Sequence, residues 1–290
     1  IAALPNEALE KLAELMKKAV RERSLPRQTL VNLMSMLGKK SGGSRTIVIL
    51  STFYRLLMRI TKRSLAEWDD EAAGFWDTAV KGSSALQAHL GRALELELAA
   101  SEGKKALLFL WDLRKFYDSI RLSKLINELH ARNFPATLLA IGAIAHKAPR
   151  MLKAGVSYSR VIKEPARSIL AGCQLSCSWA RGLLYNLLES LTWVVPRSVC
   201  YQYVDDMSQV LTEDDPKKLI SEGVQIGKTV KEEIDRLDLK MSDKSAILPA
   251  GDPAAEAVAS FLRKQGINIR TAAVAQDLGV GTTAAKRRTA

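Results

Sequence analysis

The sequence predicts an α+β protein, because helical and strand patterns are mixed along it without regular βαβ alternation. Apolar residues three or four positions apart fill most of the first hundred residues, as in amphipathic helices. Short apolar runs rich in β-branched residues appear later, bounded by turn residues. With 290 residues, 47% hydrophobic and 26% charged, the chain is expected to fold around one or two cores and not to be disordered.

The first part is predicted to be mainly helical. Pro26 is acceptable in the first turn of a helix, and Ser51 and Ser84 have the side chains that cap helix N-termini. The expected elements are helices over residues 6–23 and 26–37, a strand over 45–50, a helix from Ser51 through Leu65, and a helix from Ser84 that ends before Gly103.

The remainder mixes both kinds of element. The run at residues 106–111 is apolar throughout, which is typical of a central strand covered on both faces. The other expected elements are helices from Ser123 and Pro135, a strand over 157–163, a helix over 174–191, strands over 199–204 and 207–211, a helix over 216–237, and strands over 245–248 and 267–273 on either side of a helix from Pro253.

Charge and composition narrow the classes of function. Lys and Arg number 43 against 31 Asp and Glu, a net charge of +12, which favours a polyanionic partner over a basic protein without one. No apolar run approaches the roughly 18 residues of a bilayer span, and no secretory signal opens the sequence. Three cysteines are too few for a disulfide scaffold. We therefore expect an intracellular protein, nuclear or cytoplasmic, that is neither secreted nor membrane-bound.

The strongest local feature is Asp205-Asp206, which separates two apolar strand patterns. Adjacent carboxylates repel each other, and a hard divalent cation with oxygen ligands would offset that repulsion. An ordinary acidic turn is the alternative, since Asp is a good turn residue. Two other acidic pairs, Asp69-Asp70 and Asp214-Asp215, lie in polar stretches, and the second precedes Pro216 as a helix N-cap would.

Asp112 follows the predicted central strand directly. By itself it reads as a strand-end or helix-cap residue. Together with Asp205 and Asp206 it can form a three-carboxylate cluster, and such a cluster can hold two Mg²⁺ ions about 3.5–4 Å apart for phosphoryl transfer.

Several motifs resemble those of reverse transcriptases, in the family's order. Residues 112–120 resemble the first catalytic-Asp motif, and 203–206 resemble the Tyr-x-Asp-Asp box. Residues 39–47, 171–177, 239–245 and 277–280 resemble the basic fingers strand, the Gln-Gly-x-x-x-Ser-Pro segment, the later palm segment and the Leu-Gly turn of the primer grip. The resemblance covers about residues 39 to 281 and is closest to non-LTR retrotransposon polymerases. It departs from the family at Ala171, where the family has Gln, and at Cys177, where it has Pro.

The resemblance implies fingers and palm of a right-hand polymerase, the palm being an antiparallel sheet backed by helices. Fingers are expected over residues 1–108 and palm over 109–290, with 125–170 contributing to the fingers. We expect no thumb in this chain, so that further domains or chains would supply thumb and endonuclease.

The resemblance also implies roles for single residues. Asp112 and Asp205 are expected to be the main ligands of two Mg²⁺ ions, which Mn²⁺ can replace, assisted by Asp206 and the carbonyl of Leu113. Lys244 is a candidate general acid near the leaving pyrophosphate, or else an exposed surface lysine.

The remaining expected residues bind nucleotide and primer. Tyr117 is expected to exclude the 2′-hydroxyl of ribonucleotides, or else simply to pack in the core. Cations suit the triphosphate because charge develops on its oxygens. The nucleotide-binding residues are Lys39, Lys40, Arg45, Tyr117 and Gly172, and the primer grip is Leu278 with Gly279.

The expected function is that of an RNA-directed DNA polymerase core, which joins a primer 3′-hydroxyl to a deoxynucleoside triphosphate on an RNA template. Two alternatives stay open within this resemblance: an RNA-dependent RNA polymerase, and an inactive remnant that only binds nucleic acid.

Overall fold

The computed structural model describes residues 4–38 and 44–283, except for the side chains of Arg45 and Asp277. The helices within these ranges are α1 (Asn6–Glu22), α2 (Thr52–Ile60), α3 (Lys62–Ala72), α4 (Ala85–Ser101), α5 (Phe116–Ser119), α6 (Leu122–Ala131), α7 (Ala136–Lys147), α8 (Ser176–Val194), α9 (Pro216–Arg236) and α10 (Pro253–Lys264). The strands are β1 (Asn32–Gly38), β2 (Ser44–Ile49), β3 (Lys105–Trp111), β4 (Arg150–Ala154), β5 (Ser157–Tyr158), β6 (Val199–Tyr203), β7 (Asp206–Glu213), β8 (Ala246–Leu248), β9 (Arg270–Thr271), β10 (Ala275–Asp277) and β11 (Val280–Thr282). The α+β class predicted from the sequence is confirmed.

The chain forms two compact units, and the first comprises Ile1–Ala72 and Ile120–Gly182. Its sheet has the strand order β2-β1-β4-β5. Strand β1 pairs antiparallel with β2 and parallel with β4, while β4 pairs antiparallel with β5.

The prediction of a helix over residues 26–37 is wrong. Only a 3₁₀ turn at Arg27–Thr29 is helical there, and β1 follows it. Strand β1 is central in its sheet, and the buried Asn32 side-chain amide donates to the carbonyl of Ala145 at 2.7 Å. Pairing with β4, which lies far away in sequence and was not predicted, therefore overrides the helical spacing of the apolar residues.

One predicted helix is divided in two, and two predicted strands form only in part. The expected helix from Ser51 through Leu65 is two helices, α2 and α3. Of the strands expected over 157–163 and 267–273, only the two-residue strands β5 and β9 form. The N-caps hold: Ser51, Ser84 and Asp215 each accept a backbone N–H from the first turn of the following helix.

The second unit comprises Ala73–Ser119 and Leu183–Ala290. Its five-stranded sheet has the order β6-β7-β3-β8-β9, with β3 in the centre and antiparallel to both neighbours. Leu108 and Phe109 of β3 are completely buried and, as consecutive strand residues, point to opposite faces. Leu108 packs in a cluster with Leu96 of α4, while Phe109 lies near α9 at Gly223. Helices thus cover both faces of β3, as the apolar run predicted.

The expected bounds of fingers and palm stay a prediction. The compact units have different bounds, because α4 packs against β3 and β7 of the second unit.

No helix within residues 4–38 and 44–283 combines the length and the apolar character that crossing a bilayer requires.

Two glycines give a stability prediction with a built-in comparison. A Cβ on Gly227 of α9 would lie 2.3 Å from Cδ2 of the buried Leu262 of α10, whereas a Cβ on Gly91 of α4 would meet nothing closer than 3.8 Å. We expect Gly227→Ala to lower the free energy of unfolding by about 1–2 kcal/mol, because overpacking outweighs the gain in helix propensity. Gly91→Ala should raise it by about 0.5–1 kcal/mol. Urea denaturation measures both, and equal effects would contradict the close approach of α9 and α10.

Candidate active site

The Tyr203–Asp206 segment forms a two-residue β-hairpin turn. Tyr203 and Asp206 are paired across β6 and β7, so the turn residues are Val204 and Asp205. The prediction that Asp205 and Asp206 together separate the strands is therefore wrong by one residue, since Asp206 is the first residue of β7. Asp205 is at the tip of the turn, and Asp206 opens the strand beside β3.

Val204 adopts an unusual backbone conformation, with φ at +61°. Positive φ is strained for a β-branched residue, and such strain persists only where the surroundings enforce it. The buried Gln202 side chain supplies part of that enforcement, because its Nε2 donates to the Val204 carbonyl at 2.9 Å. Gln202 is in turn fixed through its backbone, which donates to Trp76 and accepts from Thr78 at 2.8 Å each.

Asp112 reaches the same end of the sheet as this turn. Trp111, the last residue of β3, pairs with Met207 of β7. One residue further in this register, Asp112 stands opposite Asp206, and residues directly opposite each other in an antiparallel pair share a face of the sheet. The structure thus brings Asp112 and the Asp205-Asp206 pair together on adjacent strands, although they are distant in sequence.

The segment that contains Lys244 holds Asp112 in place. The Asp112 N–H donates to Oγ of the fully buried Ser245 at 3.0 Å, and the same hydroxyl donates back to the Asp112 carbonyl at 3.1 Å. The Asp112 carbonyl also accepts the Ser242 N–H at 2.8 Å.

Backbone contacts continue this attachment beyond Asp112. Leu113 is bridged to Met241, and the Arg114 N–H donates to the Lys240 carbonyl at 2.8 Å. The Lys244 side chain is exposed, and the backbone N–H of Lys244 donates to Ser242 Oγ at 3.3 Å. Residues 112–114, which follow β3, are therefore hydrogen-bonded to the loop of residues 240–245. Lys244 directly precedes Ser245, the serine that binds the Asp112 backbone.

The donor chemistry at this end of the sheet fits a hard divalent cation, which takes carboxylate and carbonyl oxygens. Asp112 and Asp206 supply two carboxylates on one face by register, and Asp205 supplies a third from the turn. In the described part of the chain, however, no group of three or more His, Cys, Asp or Glu side chains is assembled as a metal site. The expected ligands share one end of the sheet without forming a finished three-carboxylate cluster.

Tyr117 belongs to the same unit and lies just beyond Asp112. It is in the short helix α5, after Lys115, whose φ of +47° turns the chain. The Tyr117 side chain is half-buried, and its ring packs edge-on against the buried Phe116 at 5.4 Å between ring centroids. This position allows packing and exposure at once, as a side chain that contacts a substrate would need.

Leu278 and Gly279 form the turn of the β10–β11 hairpin. Both have positive φ, +50° and +83°, and Asp277 pairs with Val280 across the turn. The hairpin lies beside α4, where Thr282 Oγ1 is 3.3 Å from Nδ1 of His89. The turn suggested by the sequence is present, while its role as a primer grip stays a prediction.

The other nucleotide-binding residues expected from the sequence belong to the first unit or cannot be placed. Lys39 and Lys40 lie outside the described residues. The backbone of Arg45 is in β2, paired with Leu37, and its side chain is not described. Gly172 is exposed, with φ at +96°, a conformation that favours glycine.

Buried polar groups fix the loop around Gly172. The Leu170 N–H donates to Nδ1 of His146 at 3.2 Å, and Cys173 Sγ is 3.2 Å from the Tyr54 hydroxyl. Burial, reinforced by the Arg150 guanidinium, lowers the pKa of His146 to about 3, so the ring stays neutral and can accept this bond. Burial also raises the pKa of the Cys173 thiol, which keeps it protonated.

A cavity of about 570 Å³ in the first unit includes Gly172 in its lining. The cationic residues along it are Arg55, Arg59 and Lys62, all with exposed side chains. These three residues were not predicted from the sequence, although Arg55 and Arg59 stand four apart on α2 and so share one face of that helix. They provide a positive surface beside a residue expected to bind nucleotide.

The two other acidic pairs have structural roles. Asp215 caps α9 and accepts the Lys217 N–H at 2.9 Å. Asp69 lies in α3, where it forms an ion pair with Arg181 and accepts the Ser178 hydroxyl. Of the three acidic pairs, the one at Asp205-Asp206 lies where the hydrogen-bonded strands β6 and β7 meet, with Asp205 in the turn and Asp206 at the start of β7.

The second unit's sheet is antiparallel from β6 to β8, but β9 pairs parallel with β8, so the expectation of an antiparallel sheet is wrong at this edge. Carboxylates stand at the ends of the adjacent strands β3 and β7, and such an arrangement suits phosphoryl transfer with divalent ions. The family model "Reverse transcriptase (RNA-dependent DNA polymerase)" matches residues 37–248, more than half of the chain. The chain belongs to the reverse transcriptase family, whose members are template-dependent nucleotidyltransferases that use divalent metal ions. No curated protein matches its sequence.

A solved structure shares the fold. It is apo telomerase from Candida tropicalis truncated from the C-terminal domain, with 12% sequence identity and a TM-score of 0.52. The match covers 85% of this chain and 56% of the telomerase chain, so this chain spans little more than half of that relative. At this identity the similarity concerns the fold alone.

The reciprocal bonds of Ser245 give a prediction for the site. Ser245→Ala removes the acceptor of the Asp112 N–H, and we expect the free energy of unfolding to fall by about 1–3 kcal/mol because that group loses its hydrogen-bond partner. Ser221→Ala is the matched control, since Ser221 is exposed on α9 and its hydroxyl bonds only the Lys218 carbonyl nearby. Urea denaturation of both variants is the measurement, and a loss no larger for Ser245 than for Ser221 would contradict this role.

Proposed function

We propose that this chain is the core of an RNA-directed DNA polymerase, which extends a primer 3′-hydroxyl with deoxynucleoside triphosphates on an RNA template. The observation that carries the proposal is the β3–β7 register, which aligns Asp112 with the Asp205-Asp206 pair at one end of a sheet. Family membership supplies the class of reaction. On this proposal the second unit is the palm and the first unit the fingers, and other domains or chains supply a thumb.

The three aspartates would hold the divalent ions, with Asp112 and Asp205 as main ligands and Asp206 and the Leu113 carbonyl assisting. When bound, two Mg²⁺ or Mn²⁺ ions would polarise the attacking 3′-hydroxyl and stabilise charge on the triphosphate. The protein's own contribution is orientation, since the Ser245 and Ser242 contacts fix the Asp112 backbone and Gln202 fixes the turn that carries Asp205.

Other residues would act on the substrate directly. Lys244 has an exposed ammonium group that can give a proton to the leaving pyrophosphate. Lys39, Lys40 and Arg45 would bind the triphosphate by charge.

The remaining proposed roles concern contacts with the nucleotide, the primer and the RNA template. Gly172 would let the nucleotide approach the main chain, and the turn of Leu278 and Gly279 would position the primer. Arg55, Arg59 and Lys62 suit the phosphates of an RNA template. The affinity of the protein for the template should then fall steeply as the salt concentration is raised. An intracellular location, nuclear or cytoplasmic, agrees with this proposal.

Primer extension on an RNA template tests the catalytic role of the carboxylates. Asp112→Asn and Asp205→Asn should each lower the rate by at least about a hundredfold, because neutral amides lose the charge that holds the ions. Asp214→Asn is the matched control, since it makes the same change in an exposed acidic pair at the start of α9.

The proposal fails if wild-type protein extends no primer, or if Asp205→Asn extends it as fast as wild type. Binding to the primer–template duplex, measured in the same preparations, identifies an inactive remnant, which would bind equally well with and without the substitution.

The identity of the incorporated nucleotide separates a DNA polymerase from an RNA polymerase. Tyr117→Val should raise incorporation of ribonucleotides relative to deoxynucleotides by about tenfold or more, because a bulky ring near the 2′ position excludes the hydroxyl. Tyr158→Val makes the same change at an exposed tyrosine of β5 in the first unit and should not alter the ratio. If wild-type protein prefers ribonucleotides, it is an RNA polymerase, and an unchanged ratio in Tyr117→Val removes the gate assignment.

A further inference from the structure

The β10–β11 hairpin is buried at the end opposite its turn. Its two strands form a sheet of their own, and an isolated two-stranded hairpin is only marginally stable in water. Ala275 and Thr282 face each other across these strands, and both are buried, with exposures of 7% and 4%. In the turn, by contrast, Leu278 is half-buried and Gly279 is exposed. The position of the turn therefore depends on what holds the buried pair.

Apolar packing holds one member of this pair and a polar contact holds the other, and both involve α4. Ala275 lies in a cluster of buried apolar side chains that includes Leu96 of α4. Thr282 Oγ1 is within hydrogen-bonding distance of Nδ1 of His89, at 3.3 Å, and His89 is itself buried in α4. Apolar packing has no preferred direction, whereas a hydrogen bond has one. The contact between His89 and Thr282 therefore fixes the angle at which the hairpin leaves α4.

The same side of α4 also supports the strand that leads to Asp205. Arg92 is three residues beyond His89, so the two side chains share a face of the helix, and Arg92 is buried as well. The Arg92 guanidinium lies over the ring of Tyr201 in β6, 5.6 Å from the ring centroid. Helix α4 thus contacts both the strand that precedes the acidic turn and the β10–β11 hairpin.

We propose that His89 and Thr282 are positioning residues for the primer, because their contact sets where the turn of Leu278 and Gly279 lies relative to the three aspartates. This inference rests on the proposed function, in which that turn positions the primer. The turn is three residues beyond the anchored pair, or about 10 Å. A tilt of about 6° at the anchor would move the turn by about 1 Å, and a misplacement of that size can slow a reaction by up to about a hundredfold.

Single-turnover primer extension with Thr282→Val tests the proposal, since valine nearly preserves the volume of threonine and removes the hydroxyl. We expect the rate at saturating nucleotide to fall about tenfold, because the primer 3′-hydroxyl is displaced. The nucleotide concentration that gives half the maximal rate should stay within about twofold of wild type, because the nucleotide site is unchanged. Thr282→Ser keeps the hydroxyl and should extend primer within about twofold of wild type.

Thr271→Val is the matched control. It makes the same substitution in the same unit and also removes a side-chain hydrogen bond, because the Thr271 hydroxyl donates to Glu256 of α10 at 2.7 Å. Urea denaturation should show a similar loss of stability for Thr271→Val and Thr282→Val, while Thr271→Val extends primer as fast as wild type. The proposal is overturned if these two variants extend at the same rate, or if Thr282→Ser is as slow as Thr282→Val.

A double-mutant cycle assigns the effect to the contact itself. His89→Leu and Thr282→Val each remove one partner, so the combined variant should be about as slow as the slower single variant. Two reductions that multiply would show that the residues act independently and would overturn the proposal. Circular dichroism shows whether each variant is folded. If His89→Leu does not fold, Thr282→Val and Thr282→Ser decide the question without it.

A fluorescent base at the primer 3′ end reports primer placement without catalysis. With 2-aminopurine at that position and no nucleotide present, the bound duplex should fluoresce more strongly in Thr282→Val than in wild type, because a loosely held terminal base stacks less. Thr282→Ser and Thr271→Val should match wild type.

This measurement separates a failure of the positioning role from a failure of the proposed function. If wild-type protein binds the duplex but extends no primer, the proposed function fails and the fluorescence decides the positioning role. A rise in Thr282→Val alone then supports that role, and equal fluorescence in all four proteins overturns it. If wild-type protein does not bind the duplex, both proposals are overturned.

Discussion

The antiparallel register between β3 and β7 is the constraint on which the candidate site depends. Strand β3 is buried on both faces, and every one of its seven residues pairs with β7, so its register cannot slip without exposing apolar side chains. Because Trp111 is fixed opposite Met207, Asp112 is fixed opposite Asp206. The hydrophobic core thereby determines the relation between two acidic motifs that lie far apart in the sequence.

A second layer of contacts refines that placement. The loop around Ser242 and Ser245 holds the backbone of Asp112, and the Gln202 side chain holds the turn at Val204. These contacts hold the main chain of Asp112 and of the turn that carries Asp205. A site of this kind keeps like charges near one another by fixing their backbones.

The sequence predicted the parts of this arrangement that depend on local pattern. The apolar run of β3 and the spacing of apolar residues in the long helices can each be recognised within one segment of the sequence. The same is true of the residues that cap the helices. The helix expected over residues 26–37 failed because a short apolar stretch fits a helix or a strand, and the deciding partner, β4, lies more than a hundred residues away. The sequence did not predict that Asp206 belongs to β7, or that Arg55, Arg59 and Lys62 line a cavity. Both facts depend on how distant parts of the chain pack together.

The contacts of Gln202 have a consequence at the border of the sheet. Strand β6 is the outermost strand on that side, and such strands are open to uncontrolled pairing with strands of other molecules. Here residues 76–78 hydrogen-bond to the backbone of Gln202 along the open edge of β6 and so occupy part of that edge. Lateral growth of the sheet, a common step toward aggregates, is thus obstructed next to the acidic turn.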